Sequence, residues 1–222
     1  MSWLAAKSSL RINYLAVAGL AAVAFSPAQS LAIGPSGLAG DIEVSVVRIL
    51  EGERALAPFA SVVLCMSRPD QCEDTGGKEV AVLDSKLRSE LSAVNITVNR
   101  AIVPQNDKSG TDEWEVDVKR GDCEDYALTK RKRLLALGWS SRSLRLAVAI
   151  TGSGEGHAVL VVKTSEGDLV LDNRTSAIKD WRRTDLRLVM VQSKESPKIW
   201  LSVEKNKRYM PNIAGKKIAD NQ

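Results

Sequence analysis

The amino-acid sequence predicts an α+β fold in which helices are followed by a run of strands. Residues 78–99 place apolar side chains at spacings of three and four, which is typical of an amphipathic helix. Residues 123–137 predict another helix, because Asp122 is a good N-cap and Gly138 is a good C-terminal stop. The length of 222 residues, with 44% hydrophobic and 26% charged residues, predicts one ordinary globular domain.

Short apolar runs separated by turns predict strands in the rest of the chain. The predicted strands are residues 144–150, 157–162, 169–172, 186–191 and 198–203. Residues 165–168 have the composition of a turn, so the second and third of these strands are expected to form a hairpin. Earlier in the chain, residues 61–66 predict a short buried strand and residues 102–114 predict a long polar loop.

The first 32 residues have the pattern of a secretory signal peptide. Lys7 and Arg11 supply a positive start, residues 14–25 are apolar, and small residues follow at cleavage spacing. The apolar run is shorter than the roughly 20 residues that cross a bilayer as a helix, although an uncleaved membrane anchor is the alternative interpretation. We therefore expect an exported protein, periplasmic or secreted, with no membrane span once the signal is removed.

The remaining chain divides into three expected segments. Residues 33–57 begin with a Gly/Pro/Ser-rich stretch and predict a flexible leader. Residues 58–204 hold the predicted helices and strands and are assigned to the folded domain. Residues 205–222 are rich in lysine and predict a basic polar tail.

The composition argues against nucleic acid as a partner. The net charge is only +4, and aromatic residues make up 5% of the chain, too few for a base-stacking surface. The basic run at residues 130–133 covers all sides of one helical turn and is interpreted as solvent-exposed. The glycine-rich residues 152–156 lack the Gly-Lys-Ser/Thr ending of a phosphate-binding loop.

The three cysteines fall into a close pair and a single residue. Cys65 and Cys72 lie near each other in a polar segment, and in an oxidising compartment they can form a disulfide. This bond would close a loop of about eight residues and stabilise the fold by roughly 2–3 kcal/mol. Cys123 is left unpaired. A lone cysteine is usually a buried, inert thiol, but the surroundings of Cys123 favour a reactive one.

Cys123 stands in the first turn of its predicted helix. The unpaired amides and the dipole of a helix N-terminus favour an anion, so the thiol pKa is expected to be lowered there. The same amides are suitable oxyanion donors for acyl transfer. Asp122 and Glu124 oppose the lowering, because flanking carboxylates raise the pKa of a thiol.

His157 is the only histidine and therefore the candidate base. It begins one strand of the predicted hairpin, and Asp172 ends the other. Strand side chains alternate with a period of two, so a connecting turn of two or four residues places both side chains on one face. The carboxylate could then orient the imidazole, as in a catalytic triad. The alternatives are a structural histidine and, for Asp172, an Asx turn with Asn173.

Three motifs together resemble the bacterial transglutaminase-like cysteine proteinases. They are GDCEDYA at residues 121–127, GEGHAVL at residues 154–160 and GDLVLDN at residues 167–173. The resemblance extends over residues 58–203. It implies a papain-like, transglutaminase-like core, with the nucleophile at the N-terminus of a helix that packs on an antiparallel sheet carrying the histidine and the aspartate.

The resemblance also implies roles for individual residues. Cys123 would be the nucleophile, His157 the general base and Asp172 the orienting acid, with no cofactor needed for this chemistry. The relatives include calcium-dependent periplasmic proteases that release biofilm adhesins. Their acidic residues beside the nucleophile correspond to Asp122 and Glu124, which makes Ca²⁺ a candidate ligand here.

The function that these observations predict is that of an exported cysteine endopeptidase. It would hydrolyse peptide bonds of a protein substrate, a cell-surface or periplasmic protein, through a Cys-His-Asp triad and a thioacyl-enzyme. One alternative is amine transfer or deamidation by the same triad, as in a transglutaminase or amidase. The other is a non-catalytic periplasmic binding module. The sequence leaves open whether a regulatory partner controls access to the site.

Overall fold

The computed structural model describes residues 46–204, and an antiparallel sheet is its largest element. The helices are α1 (Phe59–Ser67), α2 (Ser85–Ala101) and α3 (Cys123–Ala136). The strands are β1 (Glu51–Ala55), β2 (Val103–Pro104), β3 (Arg120–Gly121), β4 (Leu144–Ile150), β5 (Gly156–Thr164), β6 (Gly167–Leu171), β7 (Lys179–Asp180), β8 (Arg187–Gln192) and β9 (Trp200–Val203). Short 3₁₀ turns lie at Pro69–Cys72, Ser141–Ser143 and Trp181–Arg183.

Seven strands form one sheet in the order β1-β9-β8-β4-β5-β6-β7, and each neighbouring pair is antiparallel. Strands β2 and β3 form a separate parallel pair just before α3. Within the described residues the helices precede the central strands along the chain, so the predicted α+β fold is confirmed. None of the helices at residues 46–204 has the length and apolar character needed to cross a membrane.

The sheet is buried on both faces. The larger apolar cluster joins the helices to one face and includes Leu91, Val98, Tyr126, Leu134, Leu160 and Trp200. A smaller cluster covers the other face and includes Ile49, Ala147, Val159, Val161, Val170 and Leu186. Because β5 contributes alternate residues to the two clusters, it is buried along most of its length.

The hairpin of β5 and β6 is confirmed, and its register determines the position of Asp172. Thr164 faces Gly167 across a two-residue turn, and Leu160 faces Leu171 at the other end of the ladder. The turn requires glycine at its end, because Gly167 has a φ of +131°. Asp172 therefore follows the last paired position of β6 directly.

Helix α3 begins and ends close to the predicted bounds, but the interpretation of residues 130–133 as solvent-exposed is wrong. Lys130 is 0% exposed and Arg131 is 1% exposed. The Arg131 Nη1 donates to the backbone oxygen of Gln71 at 2.8 Å, which links α3 to the disulfide region. Four consecutive helical positions point in all directions, and α3 is covered by α2, β4 and β5, so some of them must face inward.

The segment at residues 61–66 is helical and not a strand, since α1 covers it. A short apolar run does not reveal its period, and here Ala60, Ser61 and Leu64 form the buried face of a helix that follows Pro58. The predicted disulfide is confirmed: Cys65 and Cys72 are bonded, with their Cα atoms 5.4 Å apart.

The ordered domain begins earlier than the predicted boundary at residue 58. Strand β1 pairs with β9, and the Ile49 N–H donates to Asp168 Oδ2 at 2.7 Å. This corrects the flexible leader predicted for residues 33–57 as far as the described residues reach. The predicted signal peptide and the predicted basic tail at residues 205–222 lie outside the described residues.

Candidate active site

Cys123 lies where the start of α3 meets β5. The helix begins here because Asp122 has an extended backbone, with φ −110° and ψ −159°. The backbone N–H of Ala158 donates to Cys123 Sγ at 3.3 Å. The thiol in turn donates to Glu124 Oε2 at 3.2 Å. The sulfur is therefore held between its own helix and the strand that carries the only histidine.

His157 and Asp172 are in direct contact. His157 Nε2 lies 2.9 Å from Asp172 Oδ1, and the two residues are 8% and 4% exposed. His157 directly precedes Ala158, the residue whose backbone N–H donates to the Cys123 thiol. The structure thus places Asp172 against His157 and the neighbour of His157 against the Cys123 thiol.

Arg174 supplies further hydrogen bonds to Asp172. Its Nη2 donates to Oδ2 at 2.7 Å, and its backbone N–H donates to Oδ1 at 2.9 Å. Burial by itself would raise the pKa of Asp172. The hydrogen bonds from His157 and Arg174 outweigh it and hold this pKa well below its ordinary value, so Asp172 is a carboxylate at neutral pH.

The thiol of Cys123 is protonated in this arrangement. Burial, together with the negative charges of Glu124 and Asp122, raises its pKa to about 12. The Ala158 N–H has the opposite effect but is weaker. From the sequence, the helix N-terminus predicted a lowered pKa. The expectation fails because desolvation and two neighbouring carboxylates together exceed the effect of the helix dipole.

An acidic cluster lies beside the thiol. Carboxylate oxygens of Asp107, Asp112 and Glu124 lie within 4.8 Å of one another. Of the two predicted calcium ligands, Glu124 belongs to this cluster. Asp122 lies next to it, and its Oδ2 accepts the backbone N–H of Asp107 at 3.3 Å. No sequence signal marked Asp107 and Asp112 as candidate ligands, because they come from a long loop without a motif.

The cluster has the chemistry of a site for a hard divalent cation such as Ca²⁺, which prefers carboxylate and carbonyl oxygens. Burial and a hydrogen bond with Asp122 raise the pKa of Glu124 to about 8, so its carboxylate form is disfavoured without a compensating positive charge. Asp122 Oδ1 is also buried without a hydrogen-bond partner among the described residues. The residues present therefore fit a bound cation.

Gly121 and Asp125 explain why the motif around Cys123 needs its glycine. A Cβ atom on Gly121 would lie 2.1 Å from Asp125 Oδ2. Asp125 Oδ1 accepts the backbone N–H of Glu115 at 2.8 Å and thus attaches the preceding loop to α3. Burial raises the pKa of Asp125 to about 7.

A thiol at a helix N-terminus, next to a histidine paired with a carboxylate on an antiparallel sheet, is the arrangement of a papain-like cysteine hydrolase. The family model described as bacterial transglutaminase-like cysteine proteinase BTLCP matches residues 51–208, well over half of the chain. The chain belongs to this family and is a cysteine peptidase.

Solved structures of LapG from Legionella pneumophila are similar to this chain. The calcium-bound form is 27% identical, with a TM-score of 0.47, and the match covers 56% of this chain and 75% of that one. A second LapG structure is 31% identical (TM-score 0.46, 52% and 68% covered). An EGTA-treated form is 26% identical (TM-score 0.44, 55% and 69% covered). A search of curated proteins finds no match.

We predict that Gly121→Ala destabilises the protein, because the new methyl group must displace Asp125. Overpacking of this kind costs about 1–3 kcal/mol in the free energy of unfolding, which urea denaturation measures. Gly156→Ala is the matched control, since no atom lies within 4 Å of its added Cβ. Equal stability of Gly121→Ala and wild type would contradict the close packing.

The low pKa of Asp172 predicts a loss of stability in acid. An unfolded aspartate has a pKa of about 3.9, so the stabilising effect of Asp172 is complete above that pH and is lost as the pH falls through the lower folded value. We expect wild type to exceed Asp172→Asn in free energy of unfolding above about pH 4. This difference should shrink in urea titrations at lower pH, and a constant difference would argue against the charged contact.

Proposed function

We propose that the protein is an exported cysteine endopeptidase whose catalytic triad is Cys123, His157 and Asp172. The observation that supports this assignment best is the 2.9 Å contact of His157 Nε2 with Asp172 Oδ1. His157 directly precedes Ala158, whose backbone N–H donates to Cys123 Sγ. Family membership supports the same reaction class.

In the proposed reaction, His157 Nδ1 takes the proton of Cys123 as Sγ attacks the carbonyl carbon of a peptide bond. The proton then passes from Nδ1 to the leaving nitrogen, the C–N bond breaks, and a thioester and a free amine result. His157 next removes a proton from water, which attacks the thioester, and Cys123 recovers its proton as the carboxylic acid product leaves.

Two local features support these steps. The side chain of Asp122 does not cap α3, so the N–H groups of the first turn remain available to an oxyanion. Asp172 accepts from His157 at Nε2, which leaves Nδ1 as the nitrogen that exchanges protons with the thiol. Because Asp172 stays charged, it also stabilises the imidazolium that forms during the reaction.

We further propose that the substrate is a cell-surface or periplasmic protein. The predicted signal peptide favours export, and the Cys65–Cys72 disulfide is typical of an oxidising compartment. A peptidase family implies a protein or peptide substrate.

Calcium is proposed as a ligand of Asp107, Asp112 and Glu124, with Asp122 holding the loop that carries Asp107. A bound Ca²⁺ would compensate the carboxylate charge that opposes ionisation of the neighbouring thiol. The support from this chain is the convergence of three carboxyl groups beside Cys123 and the buried Asp122 Oδ1, which has no hydrogen-bond partner among the described residues.

The triad is tested by peptide-library digestion. The mature protein is incubated with a proteome-derived peptide library, and new N-termini are identified by mass spectrometry. We expect cleavage by wild type and none by Cys123→Ala or His157→Ala, because the first lacks the nucleophile and the second lacks the base. Circular dichroism verifies that the variants are folded.

Ser140→Ala is a suitable control, since Ser140 is near the far end of α3 and bonds to Gly76. Cleavage that persists in Cys123→Ala would exclude the proposed mechanism. Incorporation of a labelled amine into glutamine peptides, without new N-termini, would instead identify a transglutaminase.

The calcium site is tested by thermal unfolding with CaCl₂ or EGTA. A ligand at 100 times its dissociation constant stabilises the folded state by about 2.7 kcal/mol, so calcium should raise the midpoint of wild type. We expect Glu124→Gln and Asp107→Asn to lose most of this increase. Glu113→Gln is the control, because Glu113 is an exposed acid of the same loop outside the cluster. An equal increase in all four proteins would show that calcium binds elsewhere.

A further inference from the structure

Arg174 holds both oxygens of Asp172 and does so with three separate donors. Its backbone N–H binds Oδ1 at 2.9 Å, Nε binds Oδ2 at 3.0 Å, and Nη2 binds Oδ2 at 2.7 Å. Oδ1 is thereby directed to His157, while Oδ2 is occupied by the guanidinium. A planar guanidinium that donates in this way restricts rotation of the carboxylate much more than a single charge would.

The guanidinium is itself fixed from the other side. Its Nη1 and Nη2 donate to the two carboxylate oxygens of Asp185 at 3.1 and 2.8 Å. Hydrogen bonds from Arg174 and, less strongly, from the Gly152 backbone keep the pKa of Asp185 low. Gly152 belongs to the loop that leads into β5 and His157. The contacts therefore run from the loop before His157, through Asp185 and Arg174, back to Asp172.

Lys130 is the remaining charged group near Asp172 in the described part of the chain. It is fully buried on α3, and its Nζ has no hydrogen-bond partner among the described residues. Burial lowers the pKa of Lys130 to about 7, and its interaction with Asp172 is electrostatic only, so it gives the carboxylate no direction. Among the described residues, Asp172 thus has three such neighbours: His157 on β5, Arg174 in the loop that follows β6, and Lys130 on α3. Of these, Arg174 contacts both carboxylate oxygens.

We propose that Arg174 is a positioning residue for the triad: with Asp185, it orients Asp172 so that Oδ1 accepts from His157 Nε2. This inference rests on the proposed function, because it concerns how the orienting acid is held. The imidazole then keeps its proton on Nε2 and presents Nδ1 to Cys123. Without Arg174, Asp172 can rotate, and the population of this tautomer should fall.

The single histidine allows a direct test by NMR. The protein is labelled with ¹⁵N-histidine in the Cys123→Ala background, and the Nδ1 and Nε2 shifts report the tautomer. We expect the Nε2–H tautomer to dominate in the parent protein and to mix with the other tautomer in Arg174→Gln. Asp185→Asn should give a smaller change, and Arg174→Lys should recover part of the parent signal.

Arg182→Gln is the matched control. Arg182 makes the same backbone and guanidinium hydrogen bonds to Asp180, also two residues earlier, and Asp180 does not contact the triad. Its substitution should leave the His157 shifts unchanged. An unchanged tautomer in Arg174→Gln, or an equal change in Arg182→Gln, would overturn the proposal. Should Arg174→Gln fail to fold, Arg174→Lys and Asp185→Asn still decide between these outcomes.

Kinetics provide the second measurement, with the peptide that wild type cleaves fastest in the library. Arg174→Gln should lower kcat by about ten- to a hundredfold with little change in KM, because misplacement affects the transition state more than binding. The two proposals fail separately. Cleavage by Cys123→Ala would reject the triad, whereas unchanged NMR shifts in Arg174→Gln beside an inactive Cys123→Ala would reject only the role of Arg174.

Discussion

The contact between the start of α3 and β5 is the constraint on which the site depends. The Ala158 N–H reaches Cys123 Sγ, so the helix and the central strand meet at the thiol itself. Because β5 is buried on both faces and α3 on most of its surface, neither element can shift without disturbing the core. The hairpin register then places Asp172 at the same end of the sheet. Three side chains that are far apart in sequence are thereby located by packing of the backbone.

The charged groups around this contact differ between the side of the thiol and the side of Asp172. Acidic side chains lie on the thiol side, where Glu124, Asp107 and Asp112 converge, whereas Asp172 accepts hydrogen bonds from His157 and Arg174. The two surroundings have opposite effects on ionisation. The hydrogen bonds from His157 and Arg174 keep Asp172 ionised, whereas burial, together with the acids, keeps the thiol protonated. In the proposed mechanism, Asp172 is therefore already charged in the folded protein, whereas ionisation of the Cys123 thiol is opposed by the acids beside it.

The sequence predicted those parts of the site that local patterns determine. The helix start at Cys123 was predicted from Asp122, which occupies the N-cap position although its side chain makes no capping hydrogen bond. The hairpin of His157 and Asp172 follows from alternation and a turn. The acids Asp107 and Asp112 come from a loop whose path only the tertiary structure defines. The burial of Lys130 and Arg131 could not be predicted from the sequence either, because four adjacent basic residues show no preferred helical face. The helix at residues 61–66 was missed because a short apolar run fits either period.

Arg174 shows how a local pattern can be informative once the structure explains it. The sequence contains three Asp-X-Arg triplets, and two of them, Asp172 to Arg174 and Asp180 to Arg182, form the same hydrogen bonds. Spacing alone does not distinguish them. Asp172 is distinguished by its contact with His157, and Arg174 also donates to Asp185. Because Arg174 is bonded to two carboxylates, it restricts rotation of the Asp172 carboxylate. A hydrogen-bond acceptor with a fixed direction favours one tautomer of the histidine that donates to it.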